Sequence, residues 1–195
     1  MFPGTISCQN FTAVDLDGAQ ISDVVFDGCV FICASLNDVS FGLMANCNLS
    51  SAQMNRSTFS NMANCNLSSA MLYMAQFPGM YTNVSFQNAD LEGAILGGVF
   101  SRVNFSYAIF DGADLGGATL GHCSFHGAHG LTEEMLRQAA ALRGSILPDG
   151  TLYDGRWELP GDLQNALQAG YDLDDPEQRG VFYSRRKLVA KLAAK

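Results

Sequence analysis

AIFDGADLGGATL, residues 108–120, places Phe110, Leu115 and Leu120 at intervals of five, with Ala108, Ala113 and Ala118 each two residues before them. The same spacing begins at Ile6 and continues through Phe11, Leu16, Ile21, Phe26, Phe31, Leu36 and Phe41. It resumes at Leu49, Met54 and Phe59, at Leu67, Leu72 and Phe77, at Phe86, Leu91 and Leu96, and at Phe105, running on to Phe125. The small position holds Cys29, Ala34, Cys47, Ala52, Cys65, Ala70, Ala75, Ala89, Ala94 and Cys123 among others.

A period of five matches neither the 3.6 of a helix nor the 2 of a flat strand. It requires a turn in every repeat, and a coil with four short sides satisfies it. The central large residue and the small one two before it point inward. The other three positions face water and read as Asp, Asn, Ser, Gly and Gln. Phe26, Phe31, Leu36, Phe41, Leu49, Phe59, Leu67, Phe77, Phe86, Leu91, Phe105, Phe110 and Leu115 are thus expected inside, with Cys47 and Cys65 filling space beside them. One coil cannot bury its own interior, so stability must come from stacking equivalent positions at roughly 4.8 Å, giving a rod roughly 30 Å long.

NADLEGAIL (88–96), AIFDGADLGGATL and CNLSSAQM (47–54) resemble the A-(D/N)-L-x-x consensus of the pentapeptide-repeat family over about residues 1–130. The resemblance implies an all-β solenoid, a right-handed quadrilateral β-helix, closed by a C-terminal capping helix and followed by a short α-helical tail. ILPDG (146–150) is similar to an ending common in cyanobacterial members.

The register shortens at one place in the coil. Phe41, Phe59 and Phe77 are spaced by 18 residues, with MANCNLSSA repeated at Met44 and Met62; Phe77, Leu96 and Leu115 are spaced by 19. These deletions are expected to stack into one atypical edge lined by Met44, Met62, Met80 and Val99 or Phe100, a candidate specialised surface.

Past Gly130 the period ends. Thr132 as N-cap, acids in the first turn and Gly144 as terminator predict a capping helix over about 133–143, so that the solenoid occupies 1–130, the cap 131–145 and an extension 146–195. Pro148-Asp149-Gly150 marks a turn. Short helices are expected over Asp162–Gly170 and from Asp175-Pro176 onward. In the last of these, Val181, Phe182, Leu188, Val189 and Leu192 are expected to form an apolar stripe opposite a basic face containing Arg185, Arg186 and Lys187, able to dock on an anionic membrane or an acidic protein. The alternatives are that it folds back on the acidic solenoid or is a solvated tail.

The net charge is -8, yet no Asp or Glu lies between Phe41 and Ala89. No run is long enough to span a bilayer and no secretory pattern opens the chain, so a cytoplasmic location is expected. The six cysteines then read as free thiols, buried where they occupy the small position. His122, Cys123, His126 and His129 are close in sequence, but inward Cys123 and outward histidines cannot converge on a metal. No catalytic constellation and no cofactor motif can be placed, and a tube filled by its own side chains leaves no substrate cavity.

The chain is therefore expected to be a non-enzymatic protein–protein interaction scaffold, with Tyr73, Tyr81, Arg102 and Tyr107 as surface anchors. The resemblance also admits a gyrase-directed DNA mimic, but the neutral belt opposes it, and no nucleic acid is expected. A third reading is an adaptor attaching to a membrane or antenna complex through the basic tail. The uncapped first coil favours a homodimer or complex.

Overall fold

Residues 4–184 are described by the computed structural model. Parallel ladders join each turn of the chain to the next: Ile6 pairs with Phe26, Phe26 with Met44, Met44 with Met62, Met62 with Tyr81, Tyr81 with Phe100, and Phe100 with Leu120. Isolated parallel bridges repeat the pattern on the other sides, such as Asn48 with Asn66 and Gln53 with Met71. The result is the four-sided β-solenoid the period requires, of about 6 turns. Its sides are centred on the columns beginning at Ile6 (side I), Phe11 (side II), Leu16 (side III) and Ile21 (side IV).

The interior is packed by like on like. Phe41, Phe59 and Phe77 stack with centroids 5.0 and 5.2 Å apart and nearly parallel rings. Phe86, Phe105 and Phe125 do the same at 5.1 and 5.2 Å. All thirteen central residues expected inside are buried, as are Cys47 and Cys65. Where a hydroxyl replaces the small apolar residue, the backbone satisfies it: Ser57 donates to Leu36 O at 2.7 Å and accepts from the Val39 amide at 2.9 Å.

On sides I, II and III each repeat turns at the second residue after the central one, which adopts a left-handed conformation. Asn46, Asn64, Asn83, Asn88, Gly93 and Gly112 suit it, but Arg56, Met74, Arg102 and Tyr107 also occupy it. A bulky residue there costs roughly 1–2 kcal/mol relative to glycine.

The shortened edge differs from the expectation. In the 18-residue coils Met44 and Met62 replace the central residue of side I and are buried. In the 19-residue coils the chain keeps one more residue, so Tyr81 and Phe100 go inside while Met80 and Val99 face out. Tyr81 is therefore no surface anchor. It is 0% exposed, stacks on Phe100 at 4.6 Å, donates to Phe59 O at 2.5 Å and accepts from the Gly79 amide at 3.2 Å. Burial pushes its phenol well above the usual tyrosine range. The corner lost between sides IV and I also explains Gly42, Gly79 and Gly98: a Cβ at any of them would overlap a carbonyl oxygen of the preceding coil.

The capping helix is shorter than expected. α1 spans Glu133–Arg137, with Thr132 accepting from the Met135 amide at 3.2 Å. The chain then returns to the rod: Ala141 bridges Thr119 and Ile146 bridges Ser124, so the expected boundary at 130 falls within a coil. Leu142 and Leu147 continue the inward columns because Ala140-Ala141-Leu142 and Ser145-Ile146-Leu147 restore the small-x-large pattern after the helix.

Two helices seal that end. α2 (Pro160–Gln168) sends Asp162 inward, where its carboxylate accepts from the amides of Leu142 and Arg143 at 3.0 and 3.1 Å. α3 (Pro176–Tyr183) is capped by Asp175, which accepts from the Glu177 amide at 2.8 Å. Phe182 is buried under Arg143, whose guanidinium lies 4.2 Å from its ring centre, and contacts Tyr171. Phe182 thus packs on its own chain, and Val181 is half-buried. Arg185, Arg186, Lys187 and the rest of the expected stripe lie outside the described residues.

Candidate interaction surface

Three of every five residues in the rod face out, and in most coils they are polar. Two ladders show the ordinary case. Asp17 accepts from Asn37, Asn37 from Asn55, and Asn55 from the Tyr73 amide at 3.1 Å. At the corner after side I, Asn46 donates to Asp27, Asn64 to Asn46 and Asn83 to Asn64. The hydrogen bonds from Asn37 hold the Asp17 carboxyl below the usual range.

The fourth, fifth and sixth coils break this rule. On side III the outward column runs Met71, Asp90, Ile109, and the next column runs Tyr73, Glu92, Asp111. Met71, Tyr73 and Ile109 are exposed, as are Met74 and Tyr107 at the corners flanking the side and Ile95 on side IV. Around the shortened corner Met80, 62% exposed, lies beside Val99. Six of the rod's nine acids, Asp15, Asp17, Asp38, Asp90, Glu92 and Asp111, occupy side III or its corner. Side III therefore presents large apolar groups with carboxylates set between them.

The expected anchors separate on this frame. Tyr73 and Tyr107 both border side III, one within it and one at its leading corner. Arg102 is exposed at the opposite corner of side II, beside a shallow groove of about 470 Å³ lined by Val103, Asn104, His122 and Ser124. Met71, Met74, Ile95 and Ile109 were not among the expected surface residues, whereas Met80 was expected on the shortened edge. Their signal is an apolar residue at an outward position of the pentad, visible only once the register of each coil is fixed.

Cys29, Cys47, Cys65 and Cys123 are buried, and burial pushes the Cys123 thiol up to about 12. The neighbouring Cys65 thiol and burial also push the Cys47 thiol up. Cys8 and Cys33, however, are exposed, because both fall at the outward turn position. Cys123 points inward while His122, His126 and His129 are exposed. Among the described residues no group of three or more His, Cys, Asp or Glu is placed to hold a metal ion. No helix of the described residues is long and apolar enough to cross a membrane.

A stack of five-residue repeats with buried central side chains defines a class of β-solenoid. The family described as pentapeptide repeats matches with eight copies over residues 10–42 and 99–129, and over these residues the chain carries pentapeptide repeats. Among solved structures, it is similar to a trypsin-treated M102R form of QnrB1, a plasmid-mediated fluoroquinolone resistance protein, at 18% identity over 86% of this chain and 94% of that one, with a TM-score of 0.35. HetL, involved in heterocyst differentiation regulation in the cyanobacterium Nostoc sp. PCC 7120, aligns at 16% identity over 76% and 89%, with a TM-score of 0.25. A pentapeptide repeat protein from the Arabidopsis thaliana thylakoid lumen aligns at 19% identity over 72% and 85%, with a TM-score of 0.26. No curated protein matches.

Proposed function

We propose that the protein is a non-enzymatic interaction scaffold whose partner docks on side III of the rod. The observation that carries this reading is the cluster of Met71, Tyr73, Met74, Tyr107 and Ile109 at outward positions that elsewhere hold Asn, Ser and Asp. A rigid scaffold adds no backbone ordering cost to docking, and aromatic anchors dominate such interfaces. The carboxylates between them favour a partner whose surface is apolar and basic. We place this encounter in the cytoplasm.

Affinity capture from native cells, comparing the wild-type chain with a Met71→Gln/Tyr73→Ser/Ile109→Gln variant, tests the proposal. Loss of a specific partner with an unchanged melting temperature supports it. Equal capture by both chains would remove side III from consideration.

The DNA-mimic reading is less well supported. Duplex mimicry needs negative charge at regular spacing along the rod. Side III has no acid between Asp38, which is paired with Arg56, and Asp90. A gyrase supercoiling assay unaffected by micromolar protein would close that alternative.

Self-association has one observation in its favour. Gly4–Ser7 pairs with Val24–Asp27 on one edge only among the described residues, and Ile6, Phe11, Leu16 and Ile21 are merely half-buried. The same end carries Asp15, Asp17, Asp23 and Asp27 and no base before Arg56, so two copies meeting there repel. A homodimer through this end requires salt to screen that charge. Light scattering across a salt series tests it: mass rising with salt supports the dimer, and a constant monomer mass excludes it.

A further inference from the structure

The outward residues of side III change character from coil to coil along the rod. In the fourth coil they are apolar, Met71 and Tyr73; in the fifth they are acidic, Asp90 and Glu92; in the sixth Ile109 restores an apolar group. All five are exposed except half-buried Asp90, whose carboxylate accepts from the Glu92 amide at 3.0 Å and is thereby fixed on the coil. Polar Gln53 and His129 bound the column before and after. Among the described residues the ion pairs involve Asp38, Glu133, Asp154 and Glu158, which leaves Asp90 and Glu92 without a cation.

The spacing of this pattern selects the shape of what covers it. Successive coils stack at roughly 4.8 Å, so Met71 and Ile109 stand roughly 10 Å apart with the two acids midway. An α-helix rises about 1.5 Å per residue, which sets positions i and i+7 about 10.5 Å apart on one face and places i+3 and i+4 between them. The two periods agree. An extended strand repeats its face only about every 6.6 Å and falls out of step with the coils. Strand addition is also closed to a partner here, because the backbone of these coils is already paired on both flanks by the solenoid's own ladders.

We infer that side III takes an amphipathic α-helix of a basic partner, laid along the rod. Apolar residues at i and i+7 cover Met71 and Ile109, and Lys or Arg at i+3 and i+4 meets Asp90 and Glu92. Tyr107 at the leading corner and Tyr73 and Met74 toward the trailing one border the helix. The inference rests on the scaffold reading above and adds to it the partner's secondary structure and sequence spacing.

Fluorescence anisotropy of labelled, alanine-rich synthetic helices of about 16 residues, titrated with the full chain, tests it. One peptide carries leucine at i and i+7 and arginine at i+3 and i+4. A second moves one leucine to i+5, on the opposite face, and a third replaces a central alanine with proline, which breaks the helix. The first is expected to bind at least about tenfold more tightly than either of the others. Asp90→Asn/Glu92→Gln and Met71→Gln/Ile109→Gln in the chain are each expected to weaken it by a similar factor. Asn at position 90 keeps an acceptor for the Glu92 amide, so the local turn is retained. Equal binding of the first and second peptides would overturn the spacing, and equal binding of the first and third would overturn the helix. No binding of the first peptide at about 1 mM would overturn both. The scaffold reading is judged separately by partner capture: capture that still depends on side III while the first peptide fails removes the helix alone, and loss of both removes the two readings together.

Discussion

The ring of Tyr107 lies across Gly127, so that a Cβ on the glycine would sit 2.5 Å from Tyr107 Cε1. Both residues are left-handed turn positions of successive coils, with φ of 61° and 67°. The pairing recurs: Met74 leans on Gly93, and the His122 ring on Gly144. A large side chain at one corner is accommodated by the absence of one at the next, which lets the rod present Tyr107 and Met74 without breaking its stacking.

Gly127→Ala is therefore expected to destabilise the rod by about 2–4 kcal/mol, combining left-handed strain with overpacking against Tyr107. In a Tyr107→Gly background the steric part vanishes and about 1–2 kcal/mol should remain. Urea denaturation of the two single variants and the double variant measures the coupling. Strict additivity would show that the ring does not rest on the glycine.

The shortened corner makes a sharper contrast. Gly79→Ala places a methyl into the backbone carbonyl of Ser60, which no rotamer change can relieve, whereas Gly97→Ala meets open space. The first should cost more than about 3 kcal/mol and the second stay within about 0.5 kcal/mol. Tyr81→Phe, at the same corner, leaves Phe59 O and the Gly79 amide without their hydroxyl partner and should cost about 1–2 kcal/mol. Denaturation midpoints rank all three.

Asp162 gives the C-terminal seal a pH dependence. Burial raises its pKa above the ordinary carboxylate value of 3.8, against the pull of the Leu142 and Arg143 amides and the nearby Arg143 charge. Above 3.8 the folded state holds this proton more tightly than the unfolded one, so the group's contribution to stability declines as pH rises from 3.8 through the folded pKa. Hydrogen exchange of α2 amides across that window should show faster opening as pH rises, after correction for intrinsic exchange. Asp162→Asn should remove that trend, and a trend unchanged in the variant would place its origin elsewhere.

Thiol accessibility separates the six cysteines into two sets. Cys8 and Cys33 should react with a maleimide in the native protein, and Cys29, Cys47, Cys65 and Cys123 only in denaturant. Mass spectrometry should thus find two modifications, then six. A native count above two would mean that the cysteine column of side II opens.

The tail shows where local signals held and where they failed. Asp175-Pro176 starts α3 as the N-cap rule requires, because cap and first turn are contiguous in sequence. The helix from Thr132 stops at Arg137 instead of reaching Gly144, since Ala139, Leu142 and Ser145 gain more by extending the solenoid columns than by continuing the helix. Helical propensity is a weak local preference, and tertiary packing overrides it.

The five-residue period by itself determined that the chain coils, which residues fill the coil and that each repeat turns, because inward packing of large and small side chains is a one-dimensional constraint. Which of Met80 or Tyr81 enters the core, and which outward residues gather on side III, was decided only by stacking. When a coil loses one or two residues, the neighbouring coils above and below choose the register that keeps their ladders and columns aligned, and that choice is not written in any single repeat.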